Sequence, residues 1–184
     1  MGWNVDYAHS QIQVSIRHMM ISNVRGHFEK YKVDAQINEE HPEESQVNVQ
    51  IEAASVNTKM EQRDAHLRSA DFLDAEKYPF ITFKTKRNEI IDDQHGKMYG
   101  DLTIKGVTRQ VVLDVEYQGQ SKSPWGTINA GFTAHAKLNR KDWGLNWNAA
   151  LETGGWLVGD EVKVEIDIEF VKTREPVKQE AVPA

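Results

Sequence analysis

Apolar and polar residues alternate along most of the chain, which is the pattern of strands with one buried face. Ile12, Val14 and Ile16 alternate with polar neighbours. The same period of two recurs at 47–53, 81–83, 102–104, 111–117, 128–138 and 164–170, and a further strand fits near 28–37. The pattern predicts an all-β fold, an antiparallel barrel of about eight strands.

One segment, 58–79, interrupts the alternation. Thr58 and Glu61 fit a capping box, in which a threonine and a glutamate three residues later satisfy the first amides of a helix. Asp71 gives a weaker N-cap signal, and Pro79 disfavours helical geometry at the residue before it. We therefore predict two short helices inserted between strands, at the mouth of the barrel.

Small residues on the predicted inward faces raise the question of a hollow interior. An eight-stranded barrel either fills its interior with side chains or holds one small ligand, as lipocalins do. A filled core, with alanines packed opposite aromatic rings, is the alternative. If the barrel is hollow, its ligand is apolar and elongated, and the tunnel is lined by Val14, Ile16, Ile51, Ala53, Phe83, Ile104, Leu113, Ala130, Phe132, Ala134, Trp143, Ile166 and Ile168.

Composition narrows the class of protein. The length of 184 residues fits one domain, which we place at 1–172, followed by a polar, proline-containing tail at 173–184 that we expect to be disordered. The net charge of -6 and the lack of a basic block argue against a nucleic-acid partner. The chain has no cysteine, which excludes disulfides and thiol chemistry.

The N-terminus has no basic segment followed by an apolar run, so the chain as written carries no secretory signal. We expect a cytoplasmic protein, or a periplasmic or secreted one if the chain is a trimmed mature form. No apolar run reaches the roughly 20 residues that span a bilayer, and the outward strand residues are charged, so we expect no membrane insertion. An edge strand could support a homodimer.

Ionisable residues crowd the start of the interrupted segment. Arg63 and Arg68 can donate to an anionic head group, because guanidinium groups pair well with phosphate oxygens. The alternative is that Arg63 pairs with Asp64 or Glu61 and fixes the helix to the barrel rim. Asp64 falls on the predicted inward face of the helix.

Two histidines complete the candidates. His18 lies on the apolar face of its strand, where a hydrogen-bonded core histidine is the alternative to a ligand contact. His66 is two positions from Asp64, on another side of the helix, so the two cannot chelate one metal. No ligand spacing, nucleophile motif or pair of catalytic carboxylates is evident, so we expect no metal, no cofactor and no catalysis.

The segment 139–160 carries three tryptophans and four glycines. Such a segment fits a lid over the barrel mouth. It fits equally well a set of aromatic rings that cap the core. Arg140 and Asp142 within it could form an ion pair.

Five motifs together resemble the YceI-like polyisoprenoid-binding family. The motifs are W-x-V-D-x-x-H-S at 3–10, SNVRGHFEKY at 22–31, SVNTKMEQRDAHLRSADFLDAEKYPFITF at 55–83, GDLTIKGVTRQVVLDV at 100–115 and LNRKDWGLNW at 138–147. The resemblance implies a lipocalin-like antiparallel barrel whose apolar tunnel takes a long isoprenoid, such as a polyprenyl diphosphate or a quinone side chain. It implies a binding role at Arg63, Asp64, His66 and Arg68, and no catalytic residue.

Three hypotheses follow for the function. The first is a non-catalytic protein that sequesters or carries an isoprenoid lipid. The second is a hydrolase or isomerase that acts on a lipid in the same cavity, with His18 or His66 as the base. The third is a structural or stress-response module with a filled core.

Overall fold

The computed structural model describes residues 2–173. Within this range one α-helix, α1 (Glu61–Arg68), accompanies eleven strands of a single sheet. The strands are β1 (Gly2–Val5), β2 (Gln11–His18), β3 (Ser22–Phe28), β4 (Tyr31–Gln36), β5 (Gln46–Glu52), β6 (Val56–Asn57), β7 (Phe80–Ile90), β8 (His95–Ile104), β9 (Val107–Lys122), β10 (Ile128–Asn139) and β11 (Val158–Thr173).

Every described strand pair is antiparallel, and the hydrogen-bonded order is β4-β5-β7-β8-β9-β10-β11-β2-β3-β6, with β1 added on β11. Strands β7 to β11 follow one another in space as they do along the chain; short turns join β7 to β10, and the longer segment 140–157 joins β10 to β11. The sheet curls on itself. The backbone N–H of Val33, on the end strand β4, donates to the hydroxyl of Tyr7, in the connection between β1 and β2 (3.1 Å).

The prediction of an all-β antiparallel fold is confirmed, but the count of about eight strands is wrong. The three additional strands are β1, β3 and β6. β6 has only two residues, which pair with His27 and Phe28 on β3. Two residues are too few to show an alternating pattern. The strand is therefore recognisable only from its pairing with β3 and not from the local sequence.

The helical prediction is half right. α1 begins at Glu61, three residues after the predicted cap, and its N-cap residue Met60 makes no side-chain capping bond. The second helix does not form: the segment 69–79 is a series of turns. Asp74 lies in the left-handed region (φ 46°), which interrupts any helix through that position.

The predicted tail, 173–184, falls outside the described residues except for Thr173, the last residue of β11. The helix within the described range is too short and too polar to cross a bilayer.

Candidate functional site: an apolar cavity with two polar ends

The curled sheet encloses a cavity of about 1240 Å³. Strand geometry turns every second side chain inward, so the apolar positions of the alternating pattern make its wall. All the predicted tunnel residues except Ala53 lie on this wall. Typical small-molecule pockets occupy roughly 300–1,000 Å³, so the interior is hollow and large.

Ala53 is a correction to the predicted lining. β5 ends at Glu52, and Ala53 begins a one-turn 3-10 helix, Ala53–Ser55. Its side chain is 1% exposed and packs in a core cluster with Phe28 and Val56, which line the cavity, so Ala53 lies behind the wall and not on it. The alternation of the preceding strand does not continue through this turn.

The cavity extends along β11. At one end Arg140 Nε donates to the carbonyl oxygen of Gly159 (2.8 Å), and at the other Lys172 Nζ donates to Glu39 (2.6 Å). Gly159 and Lys172, which both belong to β11, are about 40 Å apart along the strand at 3.3 Å per residue. We call the first end the helix mouth, because α1 lines it, and the second the far end.

At the helix mouth, Arg63 is held by Thr58. Its Nε donates to Thr58 Oγ1 (2.7 Å) and its Nη2 to the Thr58 carbonyl (2.8 Å). The hydroxyl and backbone N–H of Thr58 in turn donate to the buried carboxylate of Asp64 (2.5 and 2.9 Å). Thr58 is therefore not the predicted helix cap, because its hydroxyl oxygen accepts from Arg63 and not from a first-turn amide, and the N-cap position is Met60.

His66 lies one turn further along α1 and also lines the cavity. Its Nε2 is 2.9 Å from Oδ2 of Asp71, and its ring contacts the Trp147 ring edge-on at a centroid distance of 4.5 Å. Phe72 completes the aromatic group. Asp71 thus orients a histidine and does not start a second helix.

The five predicted head-group residues are divided by the structure. Arg63, His66 and His18 lie on the cavity wall at the helix mouth, whereas Asp64 and Arg68 do not line it. Arg68 pairs with Glu61 (2.8 Å) on the outer side of the helix. Contact of any of these side chains with a ligand stays a prediction.

The three tryptophans of 139–160 have different surroundings. Trp143 is buried in the core, and its Nε1 donates to the carbonyl of Leu102 (3.0 Å). Trp147 lines the cavity beside His66, and Trp156 is 59% exposed. The segment therefore combines the two predicted roles, a core cap and a cover at the mouth.

Arg140 is the residue whose role sequence analysis missed. Its buried guanidinium donates to three backbone carbonyls, Gly159 (2.8 Å), Leu145 (2.5 Å) and Trp147 (2.9 Å). Burial lowers the pKa of Arg140, and the nearby charge of Asp160 partly opposes that shift. The predicted partner, Asp142, is not its ion pair; Asp160 is, at 3.8 Å.

At the far end, acidic wall residues outnumber basic ones, which are His95 and Lys97. Glu39, which accepts from Trp3 Nε1 (3.1 Å) as well as from Lys172, lies on the wall there. The hydrogen bond from Lys172 is the main reason that the pKa of Glu39 is lowered. Further acidic wall residues come from the β7–β8 hairpin, namely Glu89, Asp92 and Asp93.

On the outer surface, Asp6, His9 and Glu169 bring three potential metal-ligand atoms within 4.8 Å of one another. Sequence spacing does not reveal this group, because Glu169 comes from the distant strand β11. The hydrogen bond between Asp6 and His9 (2.9 Å) raises the pKa of His9 and lowers that of Asp6.

Comparison with known proteins places this cavity-forming fold in a family. The chain matches the YceI-like domain over residues 3–170. A UPF0312 protein of Staphylococcus aureus (strain N315) is 39% identical over 170 residues, which cover 92% of this chain and 96% of that protein. The chain belongs to the YceI-like family.

Solved structures agree with that assignment. A Campylobacter jejuni YceI protein is similar at 36% identity with a TM-score of 0.73, covering 86% of this chain and 91% of that one. Burkholderia cenocepacia BcnA shares the fold at 20% identity and a TM-score of 0.79, covering 90% and 99%. A domain from Saccharophagus degradans, described as polyisoprenoid-binding, shares the fold at 14% identity and a TM-score of 0.64, covering 91% and 97%.

Proposed function

We propose that the protein binds a long isoprenoid lipid in the cavity and sequesters or carries it without chemical change. The observation that carries this proposal is the apolar cavity of about 1240 Å³, which follows β11 from one polar end to the other. Each buried CH₂ group contributes about 0.8 kcal/mol, so a chain of several prenyl units offsets the cost of immobilising it.

Two kinds of evidence support an isoprenoid in particular. The chain belongs to the YceI-like family, and a protein of the same fold is described as a polyisoprenoid-binding domain. An elongated cavity also suits a long, methyl-branched hydrocarbon chain better than a compact ligand. The head group of such a lipid would lie where polar residues line the wall.

The helix mouth is the better end for an anionic head group, such as a diphosphate. Arg63, His66 and His18 line the wall there, whereas the far end is lined by several carboxylates. A quinone-type head group would rely on hydrogen bonds from the same side chains. Arg63 has Nη1 available in addition to the two nitrogens that bind Thr58.

A non-catalytic role is supported by what the polar wall residues already do. Arg63 is held by Thr58, His66 by Asp71, and Arg140 by three carbonyls. Through these hydrogen bonds the three side chains stabilise the local structure at the helix mouth. The remainder of the wall is mainly aliphatic and aromatic.

The test uses two neighbouring residues on opposite faces of β10. Ala134 is buried on the cavity wall, and His135 is exposed on the outside. In titrations with a polyprenyl diphosphate and with a quinone, Ala134→Trp is expected to weaken binding at least about tenfold by filling the cavity, a loss of about 1.4 kcal/mol. His135→Trp is expected to bind like the wild type.

Thermal unfolding of both variants checks that the sheet is intact. Equal affinity of the two variants, or no binding of either lipid by the wild type, would contradict the proposal. Recovery of a hydrolysed or isomerised lipid, lost in His66→Ala, would favour the enzyme hypothesis instead.

A further inference from the structure

The tip of the β2–β3 hairpin exposes three consecutive apolar residues, Met19, Met20 and Ile21. Met20 is 59% exposed and Ile21 is 79% exposed. Met19 and Met20 both have positive φ angles (51° and 63°), a conformation that favours glycine or asparagine. The tip therefore exposes bulky apolar side chains to water, and at Met19 and Met20 the positive φ angle is a second unfavourable factor.

A fourth exposed apolar residue, Trp156, belongs to the same surface. The backbone N–H of Met19 donates to the carbonyl of Leu157 (2.8 Å), which ties the hairpin to the segment that carries Trp156. Gly155 lies against the Met20 sulfur so closely that a Cβ at this glycine would overlap it. Met19, Met20, Ile21 and Trp156 thus form one patch, which we call the mouth patch.

The mouth patch adjoins the opening of the cavity. His18 and Leu157, which flank its two segments, both line the cavity wall. The ionisable wall residues nearby are all of basic types, namely Arg17, His18, Arg63, His66 and Arg140. Asp71 pairs with His66 and Asp160 with Arg140, and the chain as a whole has a net charge of -6, so Arg17, His18 and Arg63 supply the basic character of this rim. The apolar patch and the basic rim face the same end of the molecule.

We propose that the mouth patch docks on the anionic surface of a lipid bilayer. Trp, Met and Ile side chains enter the boundary between head groups and acyl chains, and the basic rim faces the lipid phosphates. This inference rests on the proposed function in one respect: the cavity would then open toward the membrane, where an isoprenoid resides. Docking itself is measured without an isoprenoid.

The far end supplies a matched control. Trp125, at the β9–β10 turn, is 88% exposed, so it is even more accessible than Trp156. The exposed Ile91 at the same end stands beside Asp92 and Asp93. An anionic surface repels these carboxylates, so the far end is expected not to dock.

The experiment is sedimentation of the full chain with vesicles of phosphatidylcholine and phosphatidylglycerol in equal parts, and with phosphatidylcholine alone. Wild type and Trp125→Ser are expected to bind the anionic vesicles alike, more weakly at high salt. Ile21→Ser and Trp156→Ser, singly and together, are expected to weaken partitioning, by at least about tenfold in the double variant.

Two results would overturn the proposal: an equal loss in Trp125→Ser, or no sedimentation of the wild type with anionic vesicles, in particular when the wild type is a dimer that the double variant dissociates. Such a dimer would assign the patch to a second copy of the chain. Isoprenoid titration of the same proteins separates the two proposals. Docking without isoprenoid binding would refute the proposed function alone, and the reverse would refute docking alone.

Discussion

The buried carboxylate of Asp64 accepts two hydrogen bonds from one residue, Thr58, whose hydroxyl and backbone N–H lie 2.5 and 2.9 Å from the same oxygen. The Thr58 hydroxyl accepts in turn from Arg63 (2.7 Å). This chain of contacts fastens the start of α1 to the sheet beside the helix mouth.

We predict that Asp64→Ala lowers the free energy of unfolding by about 2–4 kcal/mol, because it leaves buried donors of Thr58 without an acceptor. Asp64→Asn keeps one acceptor oxygen and is expected to cost less. The measurement is chemical denaturation. The control is Glu61→Ala on the exposed side of α1, which removes only a surface ion pair with Arg68 and is expected to cost less than about 1 kcal/mol. Equal losses in Asp64→Ala and Glu61→Ala would contradict this role.

Gly100 makes room for the Phe83 ring on the neighbouring strand. A Cβ at Gly100 would overlap that ring and lie 2.7 Å from the carbonyl oxygen of Lys84. Gly100→Ala is therefore expected to lower the free energy of unfolding by about 1–3 kcal/mol through overpacking. Gly131→Ala is the control: a Cβ there lies 3.5 Å from its nearest neighbour, Cβ of Gln118, so the free energy of unfolding is expected to change little. Thermal denaturation of both variants measures the difference. A neutral Gly100→Ala would refute the close packing described.

The hydroxyl of Tyr31, on the cavity wall, is buried and has no hydrogen-bond partner among residues 2–173. Burial, with a smaller effect of Tyr7, raises the pKa of Tyr31 to about 12. Since the folded pKa lies above the ordinary value of 10.0, the stability contributed by the neutral phenol is present below pH 10 and is lost as pH rises through about 12.

Tyr31→Phe is expected to leave stability unchanged or raise it by up to about 1 kcal/mol, because it removes an unpartnered polar group. Alkaline titration followed by tyrosinate absorbance, compared between wild type and Tyr31→Phe, checks the pKa. A difference titration centred near 10 would contradict the buried environment.

The pair Asp6 and His9 predicts that the free energy of unfolding also depends on pH in the acidic range. The raised pKa of His9 means that its contribution is present below the ordinary value of 6.5 and lost as pH rises through the raised one. The lowered pKa of Asp6 means that its contribution is present above 3.8 and lost as pH falls through the lowered value. The pair therefore contributes most between pH 3.8 and 6.5.

Nuclear magnetic resonance titration of the His9 ring measures this directly. The midpoint is expected above 6.5 in the wild type and to fall in Asp6→Asn, since the hydrogen bond that the His9 ring donates to Asp6 is the main cause of the shift. Glu169→Gln is expected to lower it less, because Glu169 acts through its charge alone. An unchanged midpoint in Asp6→Asn would contradict the pairing.

Sequence reasoning succeeded where local pattern and tertiary environment agree. Residues such as Val14, Phe132 and Ile166 alternate with polar neighbours, and the same alternation places them on the cavity wall. Of the two alternatives that small inward side chains such as Ala130 and Ala134 left open, the structure shows the hollow interior.

It failed where a distant partner decides the structure. Thr58 has the local signature of a helix cap, but its hydroxyl accepts from Arg63 and donates to Asp64 instead of accepting from a first-turn amide. Two of the three carbonyls that hold Arg140, those of Leu145 and Trp147, come from a loop whose path no periodicity describes. The exposed run Met19–Ile21 has a sequence signal of its own, three consecutive apolar residues that interrupt the alternation.

The central claim, an isoprenoid lipid in the cavity, is tested most directly by mass spectrometry of a solvent extract of the purified protein, with Ala134→Trp prepared in parallel. The account predicts an isoprenoid in the wild-type extract, near one molecule per chain, and much less of it in the Ala134→Trp extract. An extract without isoprenoid, from a wild-type protein that also fails to take up added polyprenyl diphosphate or quinone, would contradict it.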